Sequence, residues 1–313
     1  MKRRWEKPAS FLPTLNKDRK KLTASKFFGD ALMKLGVHVS ISGSIDLAID
    51  RALERGCETF QMFTRNPRAW KTSDLSEGVA KDFTRKLADS GITPEVAHMP
   101  YLPNLASSRE DVYEKSVEIL SAEIDRCGLL NIPYLVTHLG SHLGAGMPAG
   151  YGRVVYACNR ALSRVENEVI ILLENTAGGK NSMGGAFENI RYIIDRVEQK
   201  NRVAVCFDTS HAFASGYDLR SVEALERTLE VLDRSIGLDL LKVIHLNDSR
   251  GDLGSRIDRH DHIGLGFIGE EGFKAILRNE TVRRLPLILE TPIDERRDDY
   301  GNLEKVRELA KAN

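Results

Sequence analysis

The sequence lacks a paired cysteine motif, a long apolar run and a net charge. Its four cysteines include no CxxC pair, which argues against a disulfide framework or a zinc ribbon and favours reduced thiols; they are Cys57, Cys127, Cys158 and Cys206. No uninterrupted apolar segment approaches the length of a membrane span, and no secretory signal pattern opens the chain. Internal repeats and low-complexity segments are also missing. These absences predict a soluble, cytoplasmic protein with no membrane partner.

The net charge is zero, but the charges are unevenly distributed. Residues 1–33 carry nine Lys or Arg against three Asp or Glu, whereas the rest of the chain carries 36 against 42. The leader has no periodic apolar face, so we expect 1–33 to be a flexible basic extension and 34–313 to be one catalytic domain. We favour Met33 as the natural start of the protein, or residues 1–33 as a dispensable tail, over a role of this segment as a DNA-binding arm. Because bound divalent cations would reverse the sign of an acidic cleft, net charge does not decide whether nucleic acid binds.

Apolar strands and amphipathic helices alternate from Leu35 onward. Strands are expected near 35–39, 58–63, 94–98, 134–138, 169–174, 203–208, 241–246 and 286–290. Helices are expected near 44–56, 75–90, 109–129, 151–166, 185–199, 221–236, 270–279 and 302–312. The strands are apolar on both faces and no antiparallel hairpin signal separates them. The pattern therefore predicts an α/β protein built as a single TIM (β/α)8 barrel rather than a doubly wound sheet.

Seven of these strands end in a side chain that can bind a metal ion. They are His38, His98, His138, Glu174, Asp208, His245 and Glu290. In a barrel of parallel strands all carboxyl ends open onto one face, where such enzymes keep their active sites. Zinc accepts imidazole and carboxylate ligands, and the last six residues could hold two ions that share a bridging carboxylate.

A further set of potential ligands lies close by in the sequence. His211 follows Asp208, and Asp258 and His260 lie two residues apart in a long loop. Residues i and i+2 of an extended segment point the same way, so His211, Asp258 and His260 are expected to hold a third ion. Burying nine such residues on one face without cations would be prohibitively costly.

For three of the histidines, an interior hydrogen-bonded role competes with a role in the site. His38 is expected to line the site or to support a ligand, and His142 and His262 are expected to orient ligands or phosphate rather than to bind metal.

Eight segments of the chain resemble the endonuclease IV family of apurinic/apyrimidinic endonucleases. The resemblance covers residues 34–313, through GVHVS at 36–40, FTRNPR at 63–68, THLGSH at 137–142, LENTAG at 173–178, FDTSH at 207–211, HLNDS at 245–249, GSRIDRH at 254–260 and LET at 289–291.

The resemblance implies a TIM barrel that holds three zinc ions (Zn2+) per chain. One ion would be bound by His98, His138 and Glu174, a second by Glu174, Asp208, His245 and Glu290, and a third by His211, Asp258 and His260. Glu174 would bridge the first two ions and so stand at the centre of catalysis. No nucleophilic side chain is needed, because such ions activate water and stabilise the departing 3′-oxygen.

The resemblance also implies the substrate and its recognition. The family acts in DNA repair on double-stranded DNA that contains an abasic site, which it bends and from which it extrudes the abasic nucleotide. It cuts the phosphodiester 5′ to the site and leaves a 3′-hydroxyl and a 5′-deoxyribose phosphate. Arg68 and Tyr101 match positions that enter the minor groove and fill the gap, whereas Trp70 is expected to pack in the core. A monomer with no obligatory protein partner is expected.

Two alternatives remain at this stage. A sugar isomerase or epimerase could use a related barrel, but such sites usually hold at most two ions and need a Lys or Glu that acts on a carbon acid. A catalytically inactive homologue should have lost a ligand, and every ligand position is occupied. Metal content separates the first alternative, because three ions per chain favour the nuclease.

Overall fold

The computed structural model describes residues 33–71 and 73–311. Its strands are β1 (Leu35–Val39), β2 (Phe60–Met62), β3 (Glu95–His98), β4 (Tyr134–His138), β5 (Ile170–Glu174), β6 (Val203–Asp208), β7 (Leu241–His245), β8 (Asp248–Ser249), β9 (His260–Asp261) and β10 (Leu287–Leu289). Eight of them pair in parallel as a closed barrel, in which β1 neighbours β2 on one side and β10 on the other. The predicted TIM barrel is confirmed. The expected basic extension lies outside the described residues, except for Met33.

Helices cover the outside of the barrel. They are α1 (Leu47–Glu54), α2 (Glu77–Ser90), α3 (Glu110–Leu129), α4 (Met147–Leu162), α5 (Phe187–Arg196), α6 (Thr209–Ser215), α7 (Val222–Ser235), α8 (Gly269–Arg278), α9 (Glu280–Arg283) and α10 (Asp299–Lys311), with 3-10 turns at Lys200–Arg202 and Leu238–Leu240. Helix α4 begins earlier than expected, because Pro148 occupies a first-turn position, where its fixed φ favours a helix start. Helices α6 and α9 were not predicted from the sequence.

The side chains that point into the barrel determine where the site forms. An apolar cluster fills the barrel interior; it consists of Val96, Val136, Leu172, Ala204, Cys206, Val243 and Ile288. Side chains alternate between the two faces of a strand, so the residue two positions further on also points inward. On six strands that residue is a predicted ligand, as in Val243 followed by His245. The interior is therefore apolar below and polar at the carboxyl ends.

The four cysteines are buried and free, as expected for reduced thiols. Burial raises the pKa of the Cys206 thiol to about 12, so it remains a neutral core side chain.

Strands β1 and β2 approach each other closely below the site. A Cβ atom on Gly36 would collide with the Thr59 carbonyl oxygen, so only glycine fits there. This approach places His38 beside Gln61 in the strand register.

An antiparallel pair of two-residue strands, β8 and β9, lies in the loop between β7 and α8. Two-residue strands are too short to produce a visible alternation, so no hairpin signal marks this pair in the sequence. Among the described residues, no helix has both the length and the apolar character needed to cross a bilayer.

Candidate metal centre and DNA-contact loops

A cavity of about 550 Å³ opens at the carboxyl ends of the barrel strands. Its lining includes His38, His98, His138, His211, Asp258, His260 and Glu290. Phe63, Tyr101 and Ile293 form part of its rim and give it an apolar edge. The cavity thus combines polar side chains with apolar ones, of which Tyr101 and Ile293 are exposed and Phe63 is buried.

The described residues contain three groups of side chains whose ligand atoms all lie within 4.8 Å of one another. The groups are His98, His138 and Glu174; Glu174, Asp208, His245 and Glu290; and Asp208, His211 and His260. The first two have the composition that the resemblance to the endonuclease IV family implies. In the third, Asp208 stands where Asp258 was expected.

Glu174 occupies the centre of these groups and is fully buried. Its Oε2 atom lies 3.3 Å from His98 Nε2 and 3.2 Å from His138 Nε2. Its Oε1 atom lies 3.1 Å from His245 Nδ1 and 3.2 Å from His211 Nδ1. One oxygen therefore faces the first group and the other faces the second, as a bridging carboxylate requires.

Asp208 connects the second and third groups because it ends β6 and caps α6. Its Oδ1 accepts a hydrogen bond from the backbone N–H of His211 at 2.7 Å, as an N-cap does. Its Oδ2 lies 3.9 Å from His245 Nδ1 and 3.6 Å from His260 Nε2.

Asp258 lies on the open side of the same region. Its Oδ1 lies 3.0 Å from His211 Nε2, and its side chain is 60% exposed. The hydrogen bond with His211 lowers the pKa of the Asp258 carboxyl to about 2, so it carries a negative charge at neutral pH. Asp258 thus contacts His211 of the third group but is not one of the three residues whose ligand atoms lie within 4.8 Å of one another.

Backbone carbonyls orient three of the histidines. His98 Nδ1–H donates to Met99 O at 2.7 Å, and His211 Nδ1–H donates to Asn175 O at 3.0 Å. His260 Nδ1–H donates to Glu290 O at 3.1 Å. In each neutral ring the lone pair therefore lies on Nε2, which is the arrangement that metal-binding histidines usually show.

The electrostatics of the centre favour ionised carboxylates. Burial would raise the pKa of Glu174, but the charges and hydrogen bonds of neighbouring histidines hold it well below its usual range. At Glu290 burial is likewise outweighed, mainly by the charge of His245.

Three buried amide side chains around the ligands were not predicted from the sequence. Asn247 donates from Nδ2 to Asp208 Oδ2 at 2.8 Å and accepts from the Glu290 backbone N–H at 2.8 Å. Asn175 accepts from the Asp208 backbone N–H at 2.7 Å. Gln61 contacts both His245 and Glu290. The signal for the asparagines was their position one and two residues after strand-end ligands.

The other histidines differ in their distance from the centre. His38 lines the cavity, and its Nδ1 lies 3.7 Å from Glu290 Oε1. His142 Nδ1 accepts from the backbone N–H groups of Gly144 and Gly146, both at 3.1 Å, and so shapes the glycine-rich loop after β4. The ring nitrogens of His262 contact Asp294 and Asn302 on the side of α10. Neither His142 nor His262 joins one of the three groups.

The expected DNA-contact residues lie on adjoining loops beside the cavity. Arg68 is exposed, and the Tyr101 side chain is 67% exposed. The Tyr101 backbone N–H donates to Pro67 O at 3.2 Å, which ties the two loops together. Buried Arg65 donates to Trp70 O at 2.7 Å, and Trp70 packs against the main core, as expected. Buried contacts of Arg65 and Trp70 therefore anchor these loops, while the side chains of Arg68 and Tyr101 are exposed to solvent.

A single buried carboxylate organises the loop that carries Asp258 and His260. Asp248 is fully buried, and its two oxygens accept hydrogen bonds from five backbone N–H groups. The donors are Ser249, Gly264, Gly266, Ile268 and Gly269. A Cβ atom on Gly266 would lie 2.5 Å from Asp248 Oδ1, so the backbone can approach this carboxylate so closely only with glycine at that position.

The donor set fits divalent zinc. Each group combines imidazole nitrogen with carboxylate oxygen, which suits zinc better than magnesium. His260 Nε2 is buried and has no hydrogen-bond partner among the described residues, as a nitrogen reserved for a metal ion would be.

Comparisons with known proteins identify the family. A family model described as a xylose isomerase-like TIM barrel matches residues 49–312. The chain is 59% identical to a probable endonuclease 4 of Methanoculleus marisnigri over 282 residues, which cover 90% of this chain and 100% of that protein. The chain belongs to the endonuclease IV family. A probable endonuclease 4 of Nitrosopumilus maritimus is 50% identical over 89% of this chain and 100% of its own length.

Solved structures agree with membership in the endonuclease IV family. Endonuclease IV from Thermus thermophilus matches with a TM-score of 0.79 and 36% identity, over 88% of this chain and 98% of that chain. A D-tagatose 3-epimerase-like protein matches with a TM-score of 0.63 and 22% identity, over 89% and 96% of the two chains. The second likeness shows the shared barrel alone.

Proposed function

We propose that this protein is a zinc-dependent apurinic/apyrimidinic endonuclease of DNA repair. It hydrolyses the phosphodiester 5′ to an abasic site in duplex DNA and leaves a 3′-hydroxyl and a 5′-deoxyribose phosphate. The observation that carries the proposal is the position of Glu174, whose two carboxylate oxygens face two different ligand groups. Membership in the endonuclease IV family supports the same reaction.

The ligand roles follow from the three groups. His98, His138 and Glu174 would hold one zinc ion, and Glu174 with Asp208, His245 and Glu290 would hold a second. The third would draw on His211 and His260 with a carboxylate from Asp208 or Asp258. When bound, such ions supply Lewis acidity that activates water and offsets phosphate charge.

The chain itself contributes orientation and charge. The backbone carbonyls that accept from His98, His211 and His260 keep each Nε2 lone pair directed at the groups. Ionised Glu174 and Glu290 offset the positive charge of bound cations in a buried site.

Arg68 and Tyr101 are proposed to enter the duplex at the abasic site. Both are exposed on loops that border the cavity, and the Tyr101 ring packs edge-on against Phe63 at a centroid distance of 5.1 Å. A ring held in this way can fill the gap that an extruded nucleotide leaves and replace part of the lost stacking.

A D-tagatose 3-epimerase-like protein shares the barrel. The third ligand group beside a bridged pair favours phosphodiester chemistry over carbon-acid chemistry. The direct test is a duplex oligonucleotide with one synthetic abasic site, incubated with and without prior chelation. Cleavage 5′ to the site with a 3′-hydroxyl product, lost after prolonged chelation but not after omission of Mg²⁺, is expected. Turnover of a sugar with no incision would overturn the proposal.

The variant His260→Ala separates the third group from the other two. His260 belongs to the third group alone, and it lies on β9 rather than at a barrel strand end. We expect single-turnover incision to collapse while about two zinc ions per chain and binding of abasic DNA persist. Near-normal cleavage with only two zinc ions bound would show that the third group is structural.

A further inference from the structure

Gln61 is a fully buried polar side chain at the centre of the site. It lies on β2, the barrel strand that ends without a predicted ligand. Its Nε2 lies 2.6 Å from Glu290 Oε1 and 3.0 Å from His38 Nδ1, and its Oε1 lies 2.8 Å from His245 Nε2. One amide therefore links three strands of the barrel.

The contacts determine which way the amide of Gln61 faces. An ionised carboxylate only accepts hydrogen bonds, so the NH2 group must face Glu290. The carbonyl oxygen then faces His245 Nε2, which must donate to it. In the neutral ring of His245 the lone pair consequently lies on Nδ1, 3.1 Å from Glu174 Oε1 and 3.3 Å from Glu290 Oε2. That nitrogen is the one that belongs to the second ligand group.

The second amide hydrogen of Gln61 determines the state of His38. Because the NH2 group faces His38 Nδ1, that nitrogen must accept, and the proton of the neutral ring lies on Nε2. His38 Nε2 is buried and has no hydrogen-bond partner among the described residues. The ring lines the cavity at the carboxyl ends of the barrel strands, so this N–H group is a donor beside that cavity with no acceptor from the part of the chain that the structure describes.

His245 differs in this respect from the three histidines that backbone carbonyls orient. The carbonyls that accept from His98, His211 and His260 cannot be removed by changing a side chain. The acceptor for His245 is the side chain of Gln61. Substitution at Gln61 can therefore alter one ligand without touching the others.

We propose that Gln61 fixes the tautomers of His245 and His38. His245 Nδ1 is thereby kept free for a metal ion, and His38 Nε2–H is kept free to donate to an oxygen of the substrate phosphodiester. Gln61 is a positioning residue that acts through two rings. The part of the inference that concerns the substrate rests on the proposed function, whereas the tautomers and the metal affinity do not.

The test uses the full zinc-loaded protein labelled with ¹⁵N-histidine. Nuclear magnetic resonance of the wild type should show His245 and His38 each protonated at Nε2. The variant Gln61→Met retains side-chain length but removes both hydrogen-bonding groups, and it should weaken the binding of one zinc ion by about 10–100-fold. Gln199→Met makes the same change on the barrel exterior and should leave zinc affinity unchanged. Unfolding midpoints of the chelated proteins check that both variants fold.

Two further variants separate the roles of the rings. In Gln61→Glu an ionised carboxylate opposes Glu290 and can only accept, so the proton of His38 should move to Nδ1. In His38→Phe zinc content should persist, while kcat on the abasic duplex falls about 10–100-fold with KM little changed.

Specific outcomes would overturn the inference. They are a wild-type His245 protonated at Nδ1, unchanged zinc affinity in Gln61→Met, or undiminished kcat in His38→Phe. A wild-type protein in which His245 and His38 are each protonated at Nε2, but which does not cleave abasic DNA, would refute the proposed function. It would still support the role of Gln61 at the metal centre.

Discussion

The buried carboxylate of Asp248 should be essential to the loop that presents Asp258 and His260. In Asp248→Asn one oxygen becomes an NH2 group of nearly the same size, so no cavity forms. The Oδ1 atom accepts from two backbone N–H groups and the Oδ2 atom from three. Whichever way the amide turns, at least two N–H groups therefore face another donor.

The magnitude follows from those lost acceptors. A buried donor left without an acceptor costs about 1–3 kcal/mol, so two of them predict a loss of about 2–6 kcal/mol in the free energy of unfolding. That is a large part of the roughly 5–15 kcal/mol that stabilises a typical domain. The matched control is Asp252→Asn on the same loop, where the side chain is 64% exposed and a change within about 0.5 kcal/mol is expected.

Urea unfolding of the chelated proteins measures this difference without a contribution from bound zinc. The midpoint of Asp248→Asn should fall at an unchanged slope, and amide hydrogen exchange should accelerate at Gly264, Gly266 and Ile268. Zinc content should also fall because His260 lies on the same loop. The reasoning is wrong if Asp248→Asn and Asp252→Asn unfold at the same urea concentration.

Three other predictions concern the binding of abasic DNA, the N-terminal segment and the protons released when zinc binds. Arg68→Ala and Tyr101→Ala should each weaken binding of the abasic duplex about tenfold and retain zinc; lost zinc, or normal incision at limiting DNA, would contradict this. Deleting residues 1–32 should leave folding and low-salt incision nearly unchanged and reduce only salt-sensitive nonspecific binding; an insoluble or inactive product would refute it. Burial lowers the pKa of His211 and His245, but neighbouring acidic groups hold both well above the usual value. Zinc must displace those protons, so calorimetry near pH 7 should record about two released protons and an affinity that falls as pH falls; an affinity independent of pH would contradict it.

Much of the barrel and of the centre was predictable because the relevant patterns are local. Alternation along each strand places every second side chain inward, so a residue such as His98 or Glu290 at a strand end points into the site. The β/α order then brings those ends together on one face. These two facts predict that six strand-end residues could hold two ions with a shared carboxylate, whereas the division into two ligand groups was implied by the resemblance to the endonuclease IV family.

The remaining parts depend on tertiary contacts that no local pattern reveals. Asp208 reaches His260 because the loop after β7 folds back over β6, and the buried Asp248 fixes that path. Gln61 carries no metal-ligand chemistry, so nothing in the sequence marked it, although strand alternation does point it inward beside His38. The monomeric state and cytoplasmic location stay predictions.

Zinc titration into the metal-free protein tests the central claim most directly. Single-turnover cleavage of a duplex with one abasic site is measured after each addition, beside the zinc bound per chain. Because the described residues contain three ligand groups that share Glu174 and Asp208, cleavage should remain low at one equivalent and reach its maximum near three. Full cleavage by the metal-free protein, by protein supplied only with Mg²⁺, or at one equivalent of zinc would contradict a reaction that depends on three ions.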